Sequence, residues 1–227
     1  MKYLRYKNIL LIPNIILAVI ILIPANVFAG DTAKIKEQLD SSDWQVRLLA
    51  VKKLAYRTDE ESVNFLLTVA GTRSEYWPVK IKAIILLGET KDPRAKKLLL
   101  SIFNNSMLHW ECPSIKTYTA EALGNFKGDP KVVKSLIRSL NDHEKLTREA
   151  SIRSLGKIGD QEAVPHIFEH LNEDSFAIKL ASINALESIG DSRAILPLKQ
   201  VAEHDTDFLI RDKAKKALNT LQKSREL

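Results

Sequence analysis

Residues 147–165 read Thr147-Arg148-Glu149-Ala150-Ser151-Ile152-Arg153-Ser154-Leu155-Gly156-Lys157-Ile158-Gly159-Asp160-Gln161-Glu162-Ala163-Val164-Pro165. Thr147, Ser151 and Leu155 stand four apart, so they share one face of a helix. Gly159-Asp160 then breaks the pattern, the glycine suited to a helix end and the aspartate to an N-cap. An apolar run through Ile167, Phe168 and Leu171 follows. The stretch predicts one helix, a turn and the start of another.

The same pattern recurs along the chain. Aligned on Leu54, Leu87, Leu123, Leu155, Leu186 and Leu218, the spacings are 33, 36, 32, 31 and 32 residues. Eight before each leucine stands a β-branched residue: Val46, Val79, Ile115, Thr147, Ile178 or Ile210. Four before stands a small one: Ala50, Ala83, Thr119, Ser151, Ser182 or Ala214. Seven before stands a cation: Arg47, Lys80, Lys116, Arg148, Lys179 or Arg211. Asp92-Pro93 and Asp129-Pro130 read as N-caps with proline in the first helical position. Gly88, Gly124, Gly128, Gly156, Gly159 and Gly190 cluster before the junction aspartates and read as helix terminators. Each unit is a helical hairpin that cannot bury its apolar face alone, so neighbours must stack. The expectation is an all-α fold, an α-solenoid of about six hairpins and twelve helices, with no strand.

Val46-Arg47 with Ala50 and Leu54, and Leu155 to Asp160 with Ala163, Val164 and Pro165, resemble HEAT repeats of the phycobilisome-lyase type. The resemblance covers essentially all of residues 30–227 and leaves no room for a separate catalytic domain. It implies that the Val/Arg-bearing helices line the concave face. Departures are Leu54-Ala55-Tyr56, which lacks the junction glycine, and an insertion around 104–112.

Residues 1–29 read as an address. Lys2, Arg5 and Lys7 precede an apolar run from Ile9 to Ile23, and Val27 and Ala29 are small residues before Gly30. That order matches a secretory signal peptide cleaved after Ala29, leaving 30–227 as the solenoid in the periplasm or outside the cell. An uncleaved membrane anchor is the alternative, and the only membrane contact expected. Three of the 34 bases lie in this segment, so 31 bases face 28 acids beyond it. That small excess makes nucleic acid an unlikely partner. Cys112 is the only cysteine, which excludes an intrachain disulfide.

Candidate sites divide between binding and packing. The six cations form a ladder, either for an acidic ligand or, as preferred here, paired with Asp43, Glu75, Glu111, Glu144, Asp174 and Asp207 near the helix starts. Trp44, Trp77, Phe176 and Phe208 lie ten before the leucine and are expected to pack as hydrophobic staples. His166-Ile167-Phe168-Glu169-His170 matches a zinc-peptidase pattern but reads as a solvated helix face. His109 to Pro113, with Trp110 and Cys112, reads as a surface loop. Positions six and two before each leucine should face solvent. There Leu48, Ile81 and Ile85 form an apolar patch in the first two units, with Trp44, Trp77 and Trp110 near it, where a protein or peptide would dock. No catalytic residue, metal or cofactor is implied. The leading expectation is an exported, non-catalytic interaction scaffold. The alternative is an enzyme-associated or lyase-like HEAT protein acting on a cofactor or modified partner protein.

Overall fold

The structure is a computed structural model and describes residues 25–105 and 112–223. Among the described residues there are twelve α-helices and no strand. They form six hairpins: α1 (Ala25–Leu39) with α2 (Trp44–Lys53), α3 (Glu60–Gly71) with α4 (Trp77–Thr90), and α5 (Pro93–Phe103) with α6 (Pro113–Leu123). Then come α7 (Pro130–Arg138) with α8 (Lys145–Ile158), α9 (Val164–Phe168) with α10 (Phe176–Ile189), and α11 (Ile195–His204) with α12 (Phe208–Lys223). The expected signal segment lies outside the described residues up to 24. Its end falls within α1, and no described helix is long and apolar enough to cross a membrane.

The helix starts follow from capping chemistry. The Asp59, Asp92 and Asp129 carboxylates accept backbone N–H bonds in the first turn of α3, α5 and α7, with Pro93 and Pro130 opening the last two. Asp160 and Asp191 cap short 3-10 turns that lead into α9 and α11.

One continuous core runs the length of the array, and the sequence columns build it. Leu54, Leu87, Leu123, Leu155 and Leu186 are almost fully buried, whereas Leu218 in the last unit is half-buried. All six small residues of the column four before the leucines are completely buried.

Three of the six glycines have a packing role beyond the one expected. A Cβ on Gly88 would lie 2.8 Å from Ala122, and one on Gly156 would lie 2.6 Å from the Cα of Ala185. A Cβ on Gly124 would meet the Ser154 hydroxyl at 2.8 Å. Gly88 and Gly156 lie inside α4 and α8, not after them. These residues let successive second helices, α4 to α6 to α8 to α10, approach backbone to backbone. The first helices α3, α5 and α7 touch one another far less. The second helices therefore form the tight inner layer and the first helices a splayed outer one. Gly124 also closes α6 as its C-cap, and Gly159 and Gly190 end α8 and α10 with φ values of 81° and 76°, in the left-handed region.

Candidate functional site

Most of the cation column is engaged in ion pairs or carbonyl bonds, but its partners are not all the expected acids. Arg47 reaches into the next hairpin and grips Glu75 through Nε and Nη2, the latter at 2.7 Å, while Nη1 donates to the Ser41 and Ser42 carbonyls. The bond from Glu75 is the main reason the guanidinium is held above its ordinary pKa. Lys116 pairs with Asp142, Arg148 with Glu173 at 2.9 Å, and Lys179 with Asp205 at 2.7 Å. These acids stand one or two residues ahead of the expected Glu144, Asp174 and Asp207. Asp207 instead caps α12 by accepting from the Leu209 N–H, and Asp43 caps α2. Burial pushes the Asp142, Glu173 and Asp205 carboxyls up, yet their cations, joined by the Glu144 and Asp207 backbone N–H groups at the two aspartates and by His170 at Glu173, together leave all three below their usual values. Lys80 is buried, and Glu111, another of the expected acids, lies outside the described residues. Arg211, in the last unit, donates to the Asp205 and Thr206 carbonyls and lies over the Phe208 ring. Each acid-paired rung fastens one hairpin to the next.

The aromatic column behaves differently from expectation. These residues open the second helices, and most remain in solvent: Trp77 is 49% exposed, Phe176 43% and Phe208 68%. The reason is position. Trp77, Phe176 and Phe208 each stand at the first residue of their helices, on the rim where the chain turns, whereas Trp44, which opens α2, is half-buried and packed against the core. Leu146 and Leu209, the second residues of α8 and α12, are 64% and 60% exposed on the same rim. At the first two units the rings form a contiguous run. Trp44 and Tyr76 have centroids 4.8 Å apart, and Tyr76 and Trp77 5.7 Å, both tilted. Tyr76 was not singled out from the sequence, although its place beside Trp77 is the signal that would have found it.

The expected apolar patch is partly core. Ile81 is only 7% exposed and belongs to the continuous core, a correction to its expected place on the solvent face. Leu48 and Ile85 are half-buried and packed against that core. The cause is the close packing of α2, α4 and α6, which fills the face that isolated helices would leave open. Trp110 lies outside the described residues.

Two segments of the chain, 32–108 and 105–178, match the model for HEAT repeats. The chain belongs to the HEAT-repeat family. Among solved structures, the complex of CpcE and CpcF of phycocyanin lyase from Nostoc sp. PCC7120 is 21% identical over 82% of this chain and 75% of its own, with a TM-score of 0.58. A designed armadillo repeat protein in complex with the peptide (KR)4 is 14% identical over 83% of this chain and 98% of its own, also with a TM-score of 0.58. At such identities the likeness is one of fold. No curated protein matches the chain.

In this HEAT-repeat protein the His-x-x-Glu-His stretch does not form a metal pair. Residues Glu169–Asn172 tighten from α-helix into a 3-10 turn, which rotates His170 away from His166. His166 is exposed, whereas His170 is buried and its Nδ1 lies 2.6 Å from Glu173. The stretch is thus only half a solvated face. Among the described residues no group of three or more His, Cys, Asp or Glu could hold a metal. Cys112 is half-buried at the start of α6, where its side chain makes no capping bond.

Proposed function

We propose that this HEAT-repeat protein is an exported scaffold that binds a protein or peptide partner and performs no reaction of its own. The observation that carries the binding reading is the exposed pair Tyr76 and Trp77, continued by the half-buried Trp44, on the rim of the first two hairpins. Large exposed apolar patches on a folded surface mark contact sites, and aromatic rings are favoured anchors in them. Leu48 and Ile85 extend the run inward with their half-buried edges. The Arg47–Glu75 pair beside it ties the first two hairpins together beneath the rings, so little ordering is needed on binding. The basic, apolar and small-residue order of residues 1–29 supports export. A lyase-like role has only the fold likeness to phycocyanin lyase behind it.

A photo-crosslinking phenylalanine analogue in place of Trp77, with a second placed at Lys199 as a surface control, tests the binding reading in intact cells. A discrete adduct from position 77 and none from 199 is expected. No adduct at 77, or the same adducts from both, overturns the rim as the docking surface. N-terminal sequencing tests export. A mature chain beginning at Gly30 is expected, and a cytosolic chain beginning at Met1 refutes it.

A further inference from the structure

The outer layer carries a feature that the binding rim does not use. Neither α5 nor α7 contains an acidic residue, yet together they hold six cations: Arg94, Lys96, Lys97, Lys131, Lys134 and Arg138. Two are neutralised, Arg94 by Asp92 and Lys96 by Asp129 at 2.5 Å. The other four have no acidic partner among the described residues, and all are exposed. Lys131, Lys134 and Arg138 recur at three- and four-residue steps and so share one face of α7, opposite the buried Val132, Val133 and Leu136. That face and Lys97 of α5 border an open groove of about 1050 Å³, with His166 of α9 at its far side. Glu162 is the only acid among the described residues of the lining. Leu100 and Ile137, both half-buried, give the groove an aliphatic strip.

We propose that this groove binds an acidic peptide segment of a partner protein, one with aliphatic residues among its carboxylates. Four unneutralised cations on rigid helices form a field that attracts carboxylates and rejects basic partners. Helices of one sign repel within themselves, a cost that an anionic occupant relieves. The aliphatic strip gives apolar side chains a place between the charges, which a phosphate backbone would leave empty. No Trp, Tyr or Phe lines the groove among the described residues, so it lacks the large stacking platforms that single-stranded nucleic acid uses. Its volume is at the upper end for small-molecule sites and it is open along its length, which suits an extended chain.

The proposal extends the scaffold reading by taking a protein as partner, but it shares no residue with the aromatic rim. The test is fluorescence anisotropy of the full chain with three labelled probes: a nine-residue peptide repeating Asp-Leu-Glu, its neutral Asn-Leu-Gln counterpart, and an oligothymidylate. The acidic peptide is expected to bind tightest, with affinity falling as salt is added. Lys131→Glu with Lys134→Glu should weaken it by about tenfold or more, while melting is unchanged because both side chains are exposed. Lys215→Glu with Lys223→Glu alters net charge equally on α12 and should leave binding intact. Equal binding of acidic and neutral peptides overturns the proposal, as does equal weakening by the α12 pair. Tighter binding of the oligothymidylate overturns it in favour of nucleic acid. Crosslinking from position 77 should persist in the α7 double variant, so failure of the groove and failure of the rim are distinguishable.

Discussion

Leu155 and Arg148 lie seven residues apart on α8 and hold the fold in different ways. Leu155 is completely buried between hairpins, and truncating such a side chain typically costs about 2–5 kcal/mol. Arg148 is partly buried, donates to the Asp142 and His143 carbonyls, and binds Glu173 through Nε and Nη2. Removing it leaves Glu173 with His170 as its remaining partner, a loss of about 1–3 kcal/mol for charge-assisted bonds. Leu155→Ala is therefore expected to lower the urea midpoint more than Arg148→Ala, and the reverse order would make the cation ladder the dominant support. The cation column was legible in the sequence because it repeats in phase with the core. Its acids were less so. The residue that a cation reaches lies across the junction with the next hairpin, and Asp142, Glu173 and Asp205 stand in the turn just ahead of the helix start. Sequence distance along a single helix points instead to Glu144, Asp174 and Asp207. The burial of Ile81 was illegible for a related reason, since it depends on how closely α2, α4 and α6 pack.

The helix ends show the same division between local and assembled information. Gly159 and Gly190 each follow their column leucine by four residues and take left-handed backbone, as their chemistry permits. The corresponding position after Leu87 is Lys91, which adopts φ 56° despite its side chain. A residue with a Cβ is disfavoured there by about 1–2 kcal/mol, offset in part by the greater freedom that glycine loses on folding. Lys91→Gly is thus expected to stabilise the protein by about 0.5–1 kcal/mol, seen as a higher melting temperature, and a lower one would show that the Lys91 side chain supports the junction. Capping at Asp92-Pro93 and Asp129-Pro130 was legible because it is written within a few residues. The break of α9 into a 3-10 turn at Glu169 was not, since its sequence keeps helical spacing for His166 and His170. The basic groove was hidden too: α5 and α7 are separated in sequence and nearly balanced by acids elsewhere, so net charge conceals their joint sign.

Stability of the whole array depends on ties between hairpins, and many of those ties are carboxylates. The Asp129 carboxyl is held below its ordinary value chiefly by Lys96 of the preceding hairpin, and Asp92 and Asp191 chiefly by Arg94 and Arg193 beside them in their own hairpins. Asp142, Glu173 and Asp205 are lowered as well, despite burial. A carboxyl with a lower pKa folded than unfolded stabilises the fold above its unfolded value and loses that contribution as pH falls through the folded one. Melting temperature should therefore be nearly constant from neutral pH to about 5 and fall below about 4; a protein that melts no lower in acid would show these ties to be energetically silent. Position along the array matters too, because a stacked unit depends on its neighbours. The last hairpin offers solvent the polar residues Lys215, Lys216, Asn219, Gln222 and Lys223 of α12, while its Ile210, Ala214, Ala217 and Leu221 are buried. Lys213 and Thr220 bind Glu187, and Asp205 binds Lys179, so three side chains anchor it to α10. Deleting the chain from Asp191 onward removes both the anchors and the cover. The apolar face of α10 then meets water with no polar residues arranged to shield it. The truncated protein is expected to melt lower and to elute from size-exclusion chromatography as aggregate. A monomeric truncation that melts like the full chain would mean the fifth hairpin is already a sufficient cap, and that the array is held within each hairpin more than between them.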